Sequence, residues 1–175
     1  MAGMIVDRMP LAGNPHVVGL AQAGLPAVIG ADSGVISITT LHQRLREDAA
    51  SVPEFDSVLA TIITQANSEF FRFDVSELHE DGGPSTTRLH SGPQGATPLP
   101  TSVLSADAAT RKLTVMYLLD EALPDAATIR LPLVGKRRPL TPGSVYVWPA
   151  FLESEITGVQ DVEVYVTHAC GRSFR

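Results

Sequence analysis

The sequence predicts a mostly β domain with helices on its N-terminal side, most simply a jelly roll. Two patterns carry this. Between residues 40 and 66 apolar side chains recur at spacings of three and four, the helical period. From Phe70 onward the spacing shortens to two, and clusters of Gly, Pro, Asp and Ser interrupt it, as short strands joined by turns require. Length is the third indicator: 175 residues, 44% of them hydrophobic, with a mean hydropathy of +0.12, suit one compact core. About eight short strands are naturally accommodated by wrapping into a closed jelly roll. We expect a single domain over 1–175, with N-terminal strands and supporting helices in 1–68 and the jelly-roll core in 69–175.

Taken in order, residues 1–40 alternate short apolar runs (Val17-Val18, Pro26 to Gly30, Val35 to Ile38) with Gly and Pro, and read as short strands and turns. Thr40 is a plausible cap for a first helix with Leu41 and Leu45 on one face. A second helix follows Pro53, with Phe55, Val58, Leu59, Ile62 and Ile63 on its core side. The period-two segments are Phe71-Phe73-Val75, Leu113-Val115-Tyr117, Ile129-Leu131-Leu133, Val145-Val147 and Val162-Val164-Val166. Residues 81–110 are rich in Pro, Gly, Ser and Thr and read as a long connection over the mouth of the jelly roll. Lys136-Arg137-Arg138 reads as an exposed turn before Pro139.

The charge balance excludes one class of partner. Thirteen Lys and Arg against nineteen Asp and Glu give a net charge of −6 and a pI near 5.3, so a phosphate backbone would be repelled and no nucleic acid is expected. Cys170 is the one cysteine, which rules out an internal disulfide and suits a reducing, cytoplasmic address. No apolar run approaches the roughly 20 residues a membrane span needs. Asp7, Arg8 and Pro10 interrupt the start of the chain where a signal peptide would be continuously apolar.

Several segments together carry a resemblance. Ala66-Asn67, Phe71-Arg72-Phe73-Asp74, Arg88-Leu89, Gly92, Arg111-Lys112-Leu113-Thr114 and Gly143 to Pro149 are similar in order and spacing to the iron(II)- and 2-oxoglutarate-dependent oxygenases of the small prolyl-hydroxylase-like branch. The resemblance covers roughly residues 55–175 and implies a double-stranded β-helix. It also implies an iron site of the two-His, one-carboxylate type, with positions left open for 2-oxoglutarate and oxygen. In the register of those segments, the family's His-X-Asp falls on Pro98-Leu99-Pro100 and its distal His on Ser154. The Arg that would hold the keto acid falls on Val162, its Tyr partner on Leu118, and a usual Gly-Gly-Glu-Leu on Ala126-Ala127-Thr128-Ile129. The resemblance therefore implies the fold without its metal or co-substrate residues, and we expect neither metal nor cofactor.

Strict alternation puts Thr114, Met116 and Leu118 on one strand face, and Val162, Val164, Val166 and His168 on another. If position 162 faces the cavity, His168 does too. The sequence thus implies a largely apolar cavity for a small, largely apolar molecule. Its catalytic candidates are His168 and Ser154, with Thr114, Met116, Leu118, Leu89, Pro98, Val162 and Trp148 binding substrate. His168 is the candidate acid or base because imidazole titrates near neutral pH. The bland alternative is a core histidine bonded to backbone. Ser154 lacks the Gly-X-Ser-X-Gly elbow of a hydrolase, and Glu153 and Glu155 beside it would oppose an oxyanion. His79-Glu80-Asp81 is a His-X-Asp in a Gly-flanked acidic turn, better read as a solvated loop than as metal ligands. His90 reads as a rim residue and Cys170 as a buried or edge thiol.

Three functional readings follow. The first is a metal-independent tailoring enzyme of small-molecule biosynthesis, a cyclase, isomerase or dehydratase that works by orientation and one acid–base group. The second is a non-catalytic relative that binds a ligand or a protein chain at the mouth of the jelly roll, with a homodimer as one form. The third is a genuine iron and 2-oxoglutarate hydroxylase with unusual ligands.

Overall fold

The computed structural model describes residues 4–10, 17–47, 52–76, 85–90, 96–98 and 110–172, with the backbone alone at 7–10, 17–18, 85–90 and 96–98. Twelve labelled elements are used below. The first strands are β1 (Ile5–Pro10) and β2 (Val17–Gly24), followed by helices α1 (Ile38–Glu47) and α2 (Pro53–Ala66). Then come β3 (Ser85–His90), β4 (Ala96–Pro98), β5 (Arg111–Leu118), β6 (Thr128–Leu131), β7 (Lys136–Pro139), β8 (Ser144–Pro149), β9 (Glu155–Thr157) and β10 (Asp161–Cys170). The strands form a six-stranded sheet in the order β1-β2-β8-β5-β10-β3 and a four-stranded sheet in the order β4-β9-β6-β7. Every pair is antiparallel.

Among the described residues no ladder joins the two sheets, so the closed barrel expected from the sequence is corrected to two separate sheets with apolar faces turned together. The N-terminal strands also belong to the larger sheet rather than to a separate support layer: β2 pairs directly with β8. Two cores result. One lies between the helices and the outer face of the larger sheet, built from Leu41, Leu45, Phe55, Leu59, Val115 and Tyr117 among others. The second fills the space between the sheets and includes Leu20, Met116, Leu118, Trp148, Ile156 and Val164. Alternation along β5 decides which residue enters which core.

The helices form where the three-and-four spacing places them. The cap of α1 is Ser37 rather than Thr40: its hydroxyl accepts the Thr40 N–H at 3.2 Å, as a serine just before a helix does. Pro53 opens α2, and Glu54 and Asp56 lie in its first turn, where a missing N–H costs nothing and negative charge meets the positive end of the helix dipole.

Three strand readings give way to local geometry. Phe71-Phe73-Val75 is no strand. Residues Asn67–Phe71 continue α2 as a wider turn, and Arg72 then takes φ 59°. The Asn67 side chain clamps the next residue like a strand partner, accepting the Phe73 N–H and donating to the Phe73 carbonyl, both at 2.8 Å. Val35 makes only a single bridge to Ile29. Leu133 lies in the turn Pro132–Val134 and is exposed. Lys136-Arg137-Arg138, read as a turn, is the edge strand β7, where basic side chains and Pro139 discourage a further strand from adding on.

Candidate functional site

The site develops from the intersheet faces of β8, β5 and β10. The register sets Trp148 opposite Thr114 and Thr114 opposite His168, a row of three across adjacent strands. The next row is Tyr146, Met116 and Val166, and Leu118 stands opposite Val164. The expected face-sharing of Thr114, Met116 and Leu118, and of Val162, Val164, Val166 and His168, is therefore what the strands display. Met116, Leu118, Trp148, Val162, Val164 and Val166 all belong to the intersheet core.

A polar pair stands in the first of these rows. Thr114 is buried, and its Oγ1 lies 3.3 Å from His168 Nδ1. His168 is partly exposed, so its ring reaches from the buried hydroxyl toward the rim. When Nδ1 carries the proton and donates to the Thr114 hydroxyl, Nε2 keeps a lone pair and can act as a base. In the other tautomer Thr114 donates and Nε2–H is an acid.

Ser154 is 2% exposed and precedes β9. Ile156, two residues on in β9, is an intersheet core residue, and the alternation leading into that strand turns Ser154 the same way. Glu153 is exposed. Glu155 accepts a hydrogen bond from Arg130 Nε at 2.6 Å across the β6–β9 pair, on the exposed side. Ser154 Oγ has no hydrogen-bond partner among the described residues, so the structure does not join it to His168 as a nucleophile–base pair.

The remaining positions fall as follows. Pro98 on β4 pairs with Glu155, which makes positions 98 and 154 neighbours across two strands. Leu89 on β3 faces Val162 in the register. His90 ends β3 opposite Asp161, and His79, Glu80 and Asp81 lie outside the described residues. Val162 and Leu118 are buried, packed apolar side chains. At the described positions that the resemblance assigns to iron and 2-oxoglutarate, Ser154, Val162 and Leu118 do not fit a ferrous ion and a dicarboxylate. Among the described residues no three His, Cys, Asp or Glu come together as a metal cluster. Cys170 is buried, as expected.

Two buried basic residues were given no functional role by the sequence. His42 is 3% exposed and lies on α1 against the outer face of the larger sheet, with Nε2 at 2.8 Å from the Tyr117 hydroxyl. Burial, then Arg46, pull its pKa below the usual value, against the opposing pull of Glu121, Glu163 and Asp120. The one available signal was its place beside Leu41 and one turn from Leu45, at the edge of the apolar stripe. Lys112 is buried at the start of β5, and burial lowers its pKa despite Asp74 and Cys170 nearby. Away from this end, a shallow depression of about 550 Å³ over α2, lined by Ala60, Thr61, Thr64, Gln65 and Ser68, holds no titratable side chain.

The crystal structure of a Pseudomonas putida prolyl-4-hydroxylase matches this fold with a TM-score of 0.58 at 11% sequence identity, covering 90% of this chain and 88% of that one. At that identity the likeness is one of fold. No family model and no curated protein matches the chain. Among the described residues, no helix is long and apolar enough to cross a membrane.

Proposed function

We propose that the chain is a prolyl-hydroxylase-like double-stranded β-helix whose metal and keto-acid corners have been given up, and that it is a metal-independent enzyme acting on a small, largely apolar molecule. The reaction is non-oxidative: cyclisation, isomerisation or loss of water. The supporting observation is the Thr114–His168 pair, 3.3 Å apart at the rim of an otherwise apolar intersheet face. His168 holds or moves the proton, Thr114 sets its tautomer, and the packed Met116, Leu118 and Val162 exclude water around the substrate.

A copurified small molecule, identified by mass spectrometry, supplies the substrate for the test. His168→Ala should lower kcat by about 10²- to 10⁴-fold, the usual weight of one acid–base group, and abolish the limb of the pH–rate profile that imidazole sets. Thr114→Val should shift that limb with a smaller loss. Unchanged turnover in His168→Ala would overturn the reading. So would an absorption band on anaerobic titration with iron(II) and 2-oxoglutarate, which would restore the hydroxylase.

One observation favours a second reading, a non-catalytic module binding a protein chain or a second copy of itself. Ile29, Val35 and Ile38 are large, apolar and about half exposed or more within one short stretch, and exposed apolar clusters of this kind often mark contacts. Size-exclusion chromatography over a range of concentrations, with no turnover of any copurified molecule, would support it.

A further inference from the structure

Four buried aromatic side chains carry a polar tip, and three of the tips are satisfied. The Tyr117 hydroxyl meets His42. That of Tyr146 donates to the Pro139 carbonyl at 2.7 Å and accepts from the Thr141 N–H at 2.8 Å. The Tyr165 hydroxyl donates to Asp56 at 3.4 Å. Trp148 is the exception: fully buried, with an indole N–H that meets no acceptor among the described residues. The second such atom on the intersheet side is Ser154 Oγ. A short turn links the two residues, closed by the Leu152 N–H on the Pro149 carbonyl at 3.0 Å. Buried donors left without acceptors are rare in folded proteins and call for a specific explanation.

We propose that Trp148 Nε1–H and Ser154 Oγ–H receive one uncharged oxygen acceptor of the ligand, a ketone or ester carbonyl; this rests on the site described under Proposed function and narrows its substrate class. An indole nitrogen is a donor only, so the ligand must bring the acceptor. Leu152, Ile156 and Met116 belong with Trp148 to the intersheet core, an apolar setting that suits a neutral group rather than a carboxylate. Lys112, two residues before Thr114 on β5, has its Cε against Gly171, and Asp74 is close enough to act on its charge. His168 stands two strands from Trp148 along the same row and is assigned the α proton of the held carbonyl compound. His168 Nε2 takes the α proton, the C–H electron pair becomes the enolate double bond, and the carbonyl π pair moves to the oxygen held by the two donors. The imidazolium then returns a proton to carbon. Aiming donors at an oxygen where charge develops is the arrangement that lowers such barriers most.

Trp148 is the sole tryptophan of the chain, so the ¹⁵N-labelled full-length protein gives one indole N–H signal. Cyclohexanone is the probe, with methylcyclohexane and cyclohexanecarboxylate as matched controls. The ketone should displace that signal saturably, Ser154→Ala should weaken its binding at least fivefold, and the hydrocarbon should leave the signal in place. The proposal is overturned if the ketone gives no saturable displacement, as it would if an internal water alone served these atoms. It is equally overturned if the hydrocarbon acts like the ketone, if the carboxylate binds more tightly, or if Ser154→Ala changes nothing. Deuteration of bound cyclohexanone in D₂O, followed by mass spectrometry, reports His168 separately. Binding with no enhanced deuteration would sink the acid–base reading and leave the oxygen site standing.

Discussion

The His42 imidazole meets Tyr117 with one nitrogen, while its Nδ1 is buried without a partner among the described residues. Its pKa is lowered in the folded state, by burial first and Arg46 second. The unfolded chain therefore takes up a proton at a pH where the folded one resists. Linkage then makes stability full above the unfolded value, near 6.5, and progressively lost as pH falls through the window below it. Melting temperature should decline from about pH 7 toward pH 5, and His42→Phe should flatten that decline. An equal slope in both proteins would refute this account. Tyr117 shows the opposite sign: burial pushes its pKa up to about 12, so stability should fall as pH rises from 10 toward 12, and Tyr117→Phe should lessen that loss without abolishing it, because burial raises Tyr146 and Tyr165 as well. His42 was not legible in the sequence, whereas Tyr117 was legible as a strand position but not as the partner of a buried imidazole. A histidine at the edge of an apolar stripe looks the same whether the neighbouring sheet covers it or solvent does. The row of Thr114 and His168 was legible, because alternation along a strand fixes the face once a single position is anchored.

At the scale of the element, caps and tight turns carry the clearest tests. Ser37→Ala removes the acceptor for the Thr40 N–H and should cost about 1 kcal/mol in urea denaturation. Gly158 sits between β9 and β10 at φ 76°, and a Cβ there would collide with the backbone of Ala126. Gly158→Ala should therefore cost more than the roughly 1–3 kcal/mol of an unfavourable φ alone. A smaller loss would mean that the 126–127 segment yields. Helix α2 was readable because five apolar positions share one face and Pro53 marks its start. The segment after it was not, because the Asn67 clamp on Phe73 and the left-handed Arg72 leave alternating phenylalanines that mimic a strand. Lys136 to Arg138 misled for the converse reason: an edge strand keeps one side in solvent and needs no apolar alternation.

For the molecule as a whole, the larger sheet is the shared wall of both cores, with Val115 and Tyr117 on one side of β5 and Met116 and Leu118 on the other. Loss of either core therefore exposes the same strands. Heat should unfold the chain in one transition with equal calorimetric and van't Hoff enthalpies, and Leu59→Ala, although on the helix side, should shift that whole transition by about 2–5 kcal/mol. Two resolved transitions would show that the cores are independent. The fold class was legible from the change of period near Phe70. The sheet order was not, since pairings are set by which apolar faces meet in space and a strand's own residues do not name its partner.

The pairing of β2 with β8, seen in the Gln22–Ser144 side-chain bond across 122 positions, bears on how the polypeptide is made. A growing chain on the ribosome has β2 ready long before its neighbour exists, and at about 5–20 residues per second the wait lasts many seconds. Throughout it the open flank of β2 is available to any stray strand, so the nascent protein should depend on chaperones and, without them, form inclusion bodies.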